Sequence, residues 1–205
     1  MKIWGRINST NVRKALWAAE EAGVAYDHES AGGAFGIVDS PAFRAMNPNG
    51  LVPVLEDDGL VLWESNAVTR YLAARYAPGT LYPEDPATRA VGDKWMDWTV
   101  TTIAPALRPL FWGLLRTPPA ERDLAAIDAA RLQMAKLLAM PDAALQDAPY
   151  LSGESFAMGD IPLGCVAYAW FELPIERPDL PHLAAWYERL KTRPAFVKAV
   201  MTPLT

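Results

Sequence analysis

The sequence predicts two domains: a small α/β domain built on a mixed sheet over residues 1–77, and an all-helical domain over residues 87–205, with a linker at 78–86. Three observations carry this prediction. The first part alternates strand-like and helix-like segments. The stretch "APGTLYPEDPATR" then packs three prolines and a glycine together without an apolar period. Everything beyond it reads as helix.

The elements follow in order. "MKIWGRI" has strand composition. "NVRKALWAAEEAG" sets Val12, Ala15, Leu16 and Ala19 at helical spacing, with Gly23 as its stop, and "AYDHES" is strand-like again. A glycine-rich connection, "AGGAFG", leads to the short helix "SPAFRAM", where Ser40 is placed to cap and Pro41 to occupy the first helical position. "LVPVLEDDGLVLWE" reads as two strands around Asp58-Gly59, a strong hairpin signal, and the helix "NAVTRYLAARY" completes the order β-α-β-α-β-β-α. After the linker, four segments have helical apolar spacing: "ATRAVGDKWMDWTVTTIAPALRPLFWGLLR", "ERDLAAIDAARLQMAKLLAM", "DIPLGCVAYAWFEL" and "LPHLAAWYERLKTRPAFVKAV". Pro105 and Pro109 are expected to bend the first of these, and Pro141 to break the second.

Composition narrows the function classes. With 205 residues and 51% hydrophobic content the chain has material for a real core. A net charge of −5, with 19 Lys and Arg scattered singly, provides no basic stripe for nucleic acid. "MKIWGRINSTN" lacks a signal-peptide core, and no apolar run approaches the roughly 20 residues that span a bilayer, so a cytoplasmic protein is expected. The single Cys165 excludes an internal disulfide and is read as a buried, inert thiol. His28 and His182 are too far apart in sequence to suggest a metal cluster, and no metal is expected.

The chemistry-bearing residues lie in the first domain. Pro53 interrupts an apolar strand, and proline cannot donate to a ladder. If it keeps a sheet edge open, Val52 can offer its N–H and C=O to an extended peptide. Ser65, read as the cap of the helix after the hairpin, stands at an anion-binding helix start, with Glu64 beside it to take an ammonium. That pairing suits an amino-acid head group, although capping alone also accounts for the serine. Ser9, Thr10 and Asn11 stand at the start of the first helix, where a thiolate is favoured, and any of the three could simply cap. A charge-assisted hydrogen bond of about 1.5–3 kcal/mol would bring a thiol pKa of about 8.5 down to about 6.5–7.5. Together these features fit a short thiol peptide with an amino-acid head.

"NPNGLVPVLEDDGLVLWESNAVTRYLAARY" resembles the signature of the glutathione S-transferase family, and "FAMGDIPLG" and "WYERLKTRPAF" resemble its later helices. The resemblance covers nearly the whole chain. It implies a thioredoxin-like N-terminal domain, an all-helical C-terminal domain, glutathione as co-substrate and a homodimer. It further implies that Val52, before a cis Pro53, binds the cysteinyl backbone of glutathione, and that Glu64 and Ser65 hold its γ-glutamyl end. "SxNVR" is most similar to serine-using members of theta- and nu-like bacterial type, making Ser9 the first choice as thiolate donor while Thr10 and Asn11 stay open. Conjugation of the thiolate to hydrophobic electrophiles is the activity implied. The alternatives are glutathione-dependent reduction of disulfides or peroxides, and a binding module without turnover. An electrophile pocket is expected between the domains, near Ile7 and the bent helix, with Trp98, Arg108, Phe111 and Trp112 as candidates, although core packing also explains those aromatics. The chain departs from the family pattern at Leu51, where many relatives place a cation for the glycine carboxylate. It departs again at Ala157 and Gly159, which interrupt a capping box and leave Asp160 without its expected hydroxyl partner. A third departure, "STNVR" in place of Ser-Ser-Cys, argues against maleylacetoacetate isomerase activity.

Overall fold

A computed structural model describes residues 1–205, and the chain divides into two compact units: Met1–Glu84 with Pro194–Thr202, and Asp85–Arg193 with Pro203–Thr205. The first unit runs β1 (Lys2–Trp4), α1 (Thr10–Glu21), β2 (Asp27–Glu29), α2 (Pro41–Met46), β3 (Val54–Asp57), β4 (Leu60–Trp63) and α3 (Ser65–Tyr76), which is the alternation expected from the sequence. Its sheet has the order β2-β1-β3-β4, with β1 parallel to β2 and antiparallel to β3, and β3 antiparallel to β4.

Local chemistry explains the elements. Ser40 Oγ accepts from the Phe43 N–H at 3.2 Å, and Pro41 opens α2 behind that cap. Asp58 at φ 47° and Gly59 at φ 83° form the tight turn of the β3–β4 hairpin, both in the left-handed region such a turn requires. The period of two along the strands separates the two faces of the sheet. Val54 and Trp4 pack with Ala31 and Phe43 on the α2 side, while their fully buried neighbours Ile3 and Leu55 face α1 and α3.

Two expectations are corrected here. Pro53 does not lie on a sheet edge, because β3 is an interior strand flanked by β1 and β4. It stands just before β3, where a missing N–H removes no ladder bond. Val52, which precedes it, lies outside both ladders. Nor does Ser65 cap α3. The capping position belongs to Glu64, and Ser65 is the first helical residue.

The second unit contains α4 (Pro86–Trp98), α5 (Ala104–Leu115), α6 (Leu124–Ala144), α7 (Asp160–Glu172) and α8 (Pro181–Lys191), and α9 (Pro194–Ala199) belongs to the first unit. Where the paired prolines predict a bend, a π-helical turn over Thr99–Ile103 joins α4 to α5. Pro105 lacks an N–H and its ring crowds the carbonyl four residues back, which the wider turn upstream accommodates. Pro141 does not break α6. The helix continues to Ala144, because a proline in the last turn removes a single hydrogen bond, and the Pro141 carbonyl still accepts from the Leu145 N–H at 2.9 Å.

Helix α7 is buried from Asp160 to Trp170, Cys165 included. The interrupted capping box predicts that Asp160 lacks a hydroxyl partner, and N–H donors serve it instead. It accepts from the N–H groups of Leu151 (2.8 Å), Ser152 (3.3 Å) and Ala157 (3.3 Å) and from Trp186 Nε1 (2.9 Å). Complete burial nonetheless pushes its carboxyl above the usual range. The second departure also has a cause: a Cβ on Gly159 would lie 2.4 Å from Gly92 Cα, so the close approach of α4 requires glycine there.

Candidate active site

The loop from β1 to α1 carries the first group of candidates. His28 on β2 places Nε2 2.6 Å from the Gly5 carbonyl oxygen, and the Gly5 N–H donates to the Glu29 carbonyl at 2.8 Å, so the loop leaves the sheet from a fixed point. Gly5 suits the crossing, since a Cβ there would meet Val12 Cγ2 at 2.3 Å. Ser9 then occupies the N-cap position of α1 with extended backbone (φ −84°, ψ 124°), and its carbonyl accepts from the Arg13 N–H at 2.9 Å. Its hydroxyl makes no capping hydrogen bond. The competing explanation for this serine, that it serves only to cap its own helix, is therefore not realised.

Asn11 has a different task. Its Oδ1 accepts from Lys14 Nζ at 3.0 Å and from Ser65 Oγ at 3.3 Å, which ties the start of α1 to the start of α3. Thr10, the first residue of α1, is half-buried.

The second group lies where the chain enters β3. Asn47, buried, donates from Nδ2 to the Leu51 carbonyl at 2.8 Å and accepts at Oδ1 from the N–H and the side-chain amide of Asn49, both at 3.0 Å. This Asx-type turn sets the backbone of Leu51 and Val52 ahead of the Val52-Pro53 bond, which is cis as the resemblance implied. Sequence reading passed over Asn47, although the "NPNG" run containing it is a turn signal. Leu51 projects into solvent, 64% exposed.

The third group follows β4. Glu64 is exposed and held at φ 72°, a region that ordinary side chains avoid, while Ser65 beside it is buried. A non-glycine residue at such an angle costs on the order of 1–3 kcal/mol and persists where the surrounding structure imposes it. Ser65 opens α3, whose first-turn N–H groups have no helical partner and favour negative charge. The first unit thus joins Asn11, Lys14 and Ser65 directly, with Glu64 next to Ser65 in sequence and Ser9 two residues before Asn11.

The pocket candidates divide by unit. Ile7, in the first, is 46% exposed. In the second, Phe111 is buried in the helical core, whereas Trp112 is 44% exposed beneath the guanidinium of Arg108, 4.7 Å from its ring centre. Arg116 lies 5.1 Å from the same ring, and Trp98 packs edge-on against Trp95 at 5.4 Å. Core packing therefore accounts for Phe111, while Arg108 and Trp112 present a cation and an apolar face to the surface.

Residues 1–74 match the profile described as glutathione S-transferase, N-terminal domain, and residues 96–194 the corresponding C-terminal domain. The chain is 47% identical over 205 residues to glutathione S-transferase GstB of Escherichia coli, covering 99% of each protein. It superposes with a TM-score of 0.97, at 66% identity, on the theta class glutathione S-transferase of Xanthomonas axonopodis pv. citri with glutathione bound, covering 100% of this chain and 98% of that one. Maize glutathione S-transferase I, in complex with an atrazine glutathione conjugate, gives a TM-score of 0.87 at 28% identity, with 98% and 96% covered. With its thioredoxin-like first unit and helical second unit, the chain belongs to the glutathione S-transferase family.

Proposed function

We propose that the protein binds glutathione in the groove of its first unit, holds it as the thiolate through Ser9, and transfers the sulfur to hydrophobic electrophiles. The observation that carries this reading is the joining of two helix starts by the 3.3 Å contact of Ser65 Oγ with Asn11 Oδ1, on a helix whose N-cap residue, Ser9, does not use its hydroxyl for capping. One helix start then serves the γ-glutamyl carboxylate and the other the sulfur. The bound glutathione of the Xanthomonas relative supports the same ligand.

In this mechanism the peptide lies along Val52, whose N–H and C=O pair with the cysteinyl residue as an added strand would. Glu64 takes the γ-glutamyl ammonium and Ser65 its carboxylate. The Ser9 hydroxyl donates to the sulfur, the thiol proton passes to solvent, and the thiolate attacks the electrophilic carbon. With an aryl halide, the carbon–sulfur bond forms and halide leaves with its bonding electrons. Asn11 accepts from Lys14 and Ser65 through Oδ1, which leaves its Nδ2 amide as the alternative donor to sulfur, the role that favours the reductase reading; Ser9 as donor favours conjugation. Leu51 offers no cation, so the glycine carboxylate stays close to solvent. Of the candidate electrophile contacts, Arg108 and Trp112 are foremost because they are exposed, whereas Phe111 is taken up by the helical core. No helix is long and apolar enough to cross a membrane, and a cytoplasmic homodimer is the assembly proposed. Retention on immobilised glutathione, with elution by free glutathione, is the expected result; passage through the column would refute the ligand.

A further inference from the structure

Helix α1 buries two cations, Arg13 and Lys14, and the second of them bonds to the residues proposed for the glutathione groove. Lys14 is 1% exposed, and its ammonium donates to Asn11 Oδ1 at 3.0 Å and to Ser65 Oγ at 3.3 Å. Ser65 in turn donates to Asn11 Oδ1 at 3.3 Å, so that three polar groups from two helix starts close a ring. Lysine is almost never buried to this degree without a partner that justifies it, and a leucine or methionine would fill the same space at lower desolvation cost. Here the ammonium bridges the two helix starts and places its charge directly behind the Ser65 oxygen.

Two features restrict what that charge can serve. The ammonium is shut off from solvent, so it meets no ligand directly. The oxygen it touches belongs to the first residue of α3, where unpaired N–H groups already favour an anion. We propose that Lys14 is a positioning residue for glutathione: its buried ammonium fixes the Ser65 oxygen and supplies, one atom behind it, the positive charge that selects the γ-glutamyl carboxylate. This rests on the glutathione reading above. In the empty ring the Ser65 proton goes to Asn11. When a carboxylate arrives, that proton turns to the ligand, and Lys14 continues to hold both Asn11 and Ser65 in place. A hydrogen bond donated by a hydroxyl that itself accepts from an ammonium is strengthened by polarisation in low-dielectric surroundings.

The test compares glutathione with its analogue lacking the γ-glutamyl α-carboxylate, γ-aminobutyryl-cysteinyl-glycine, by titration calorimetry on wild type, Lys14→Met, Lys14→Gln and Lys14→Arg. Lys14→Gln keeps an amide donor in the ring and serves should the methionine variant not fold. The expected result is at least a tenfold loss of glutathione affinity in the uncharged variants, about 1.4 kcal/mol, with little change toward the analogue. In turnover the KM for glutathione rises in parallel while kcat at saturation stays within about threefold, and Lys14→Arg recovers most of the affinity. Equal losses for both ligands, or none for either, would overturn the inference while leaving the glutathione reading standing. A wild type that binds neither ligand would overturn both.

Discussion

The Ser9 hydroxyl decides the chemistry proposed for this protein. It stands at a helix start without capping that helix, which leaves it available to a sulfur. Ser9→Ala is expected to lower conjugation of a chromogenic aryl halide at least tenfold, because a hydrogen bond to a charged acceptor contributes about 1.5–3 kcal/mol. An unchanged rate would move the donor role to Thr10 or Asn11. Glu64→Ala and Ser65→Ala are expected to weaken glutathione binding, read by calorimetry, while leaving the circular dichroism spectrum intact; normal affinity in both would remove them from the site. As candidates these residues are legible in the sequence through their place beside helix starts and a hairpin. Lys14 is not, because a lysine within an apolar helical pattern reads as a solvated charge until the structure buries it. Nor is Asn47, whose side chain works by bonding backbone that only the folded turn brings near.

At the scale of elements, the hairpin, the capped α2 and the alternation of strand and helix could be read from turn chemistry and period. The errors arose where tertiary context overrides a local rule. Pro53 falls before an interior strand, and Pro141 sits in a last turn that tolerates it. The irregular start of α7 looked like a weakened cap, yet it is set by packing: Gly159 meets Gly92, and Asp160 gathers four donors. Gly159→Ala is therefore expected to destabilise the protein by about 1–3 kcal/mol, since the added methyl group forces α4 away from α7. Asp160→Asn keeps the size but turns an amide N–H toward backbone donors, and is expected to lose a similar amount. Denaturant unfolding measures both, and wild-type midpoints would show that the start of α7 is not fixed this way.

At the scale of the whole chain, the proline-rich stretch suggests a linker at 78–86 and a second domain over 87–205, whereas the compact units divide at Glu84 and Asp85 and return Pro194–Thr202 to the first. What helical spacing could not tell is where α9 packs, because periodicity identifies a helix without naming its partner. The segment joins the first unit: Phe196 packs on Trp17 with ring centres 4.8 Å apart, Lys198 pairs with Glu20 at 2.7 Å, and Arg13 donates to the Thr202 carbonyl at 2.9 Å. Phe196→Ala is expected to cost about 3–5 kcal/mol of stability, seen as a lower Tm, although the residue lies far along the chain from every other element of that unit. The central claim remains that the groove of the first unit holds glutathione as a thiolate. Ultraviolet titration of the thiolate in the binary complex tests it most directly. The account predicts a midpoint near pH 6.5–7.5 in the wild type that returns toward about 8.5 in Ser9→Ala. A sulfur that titrates in the complex as it does free in water would contradict it.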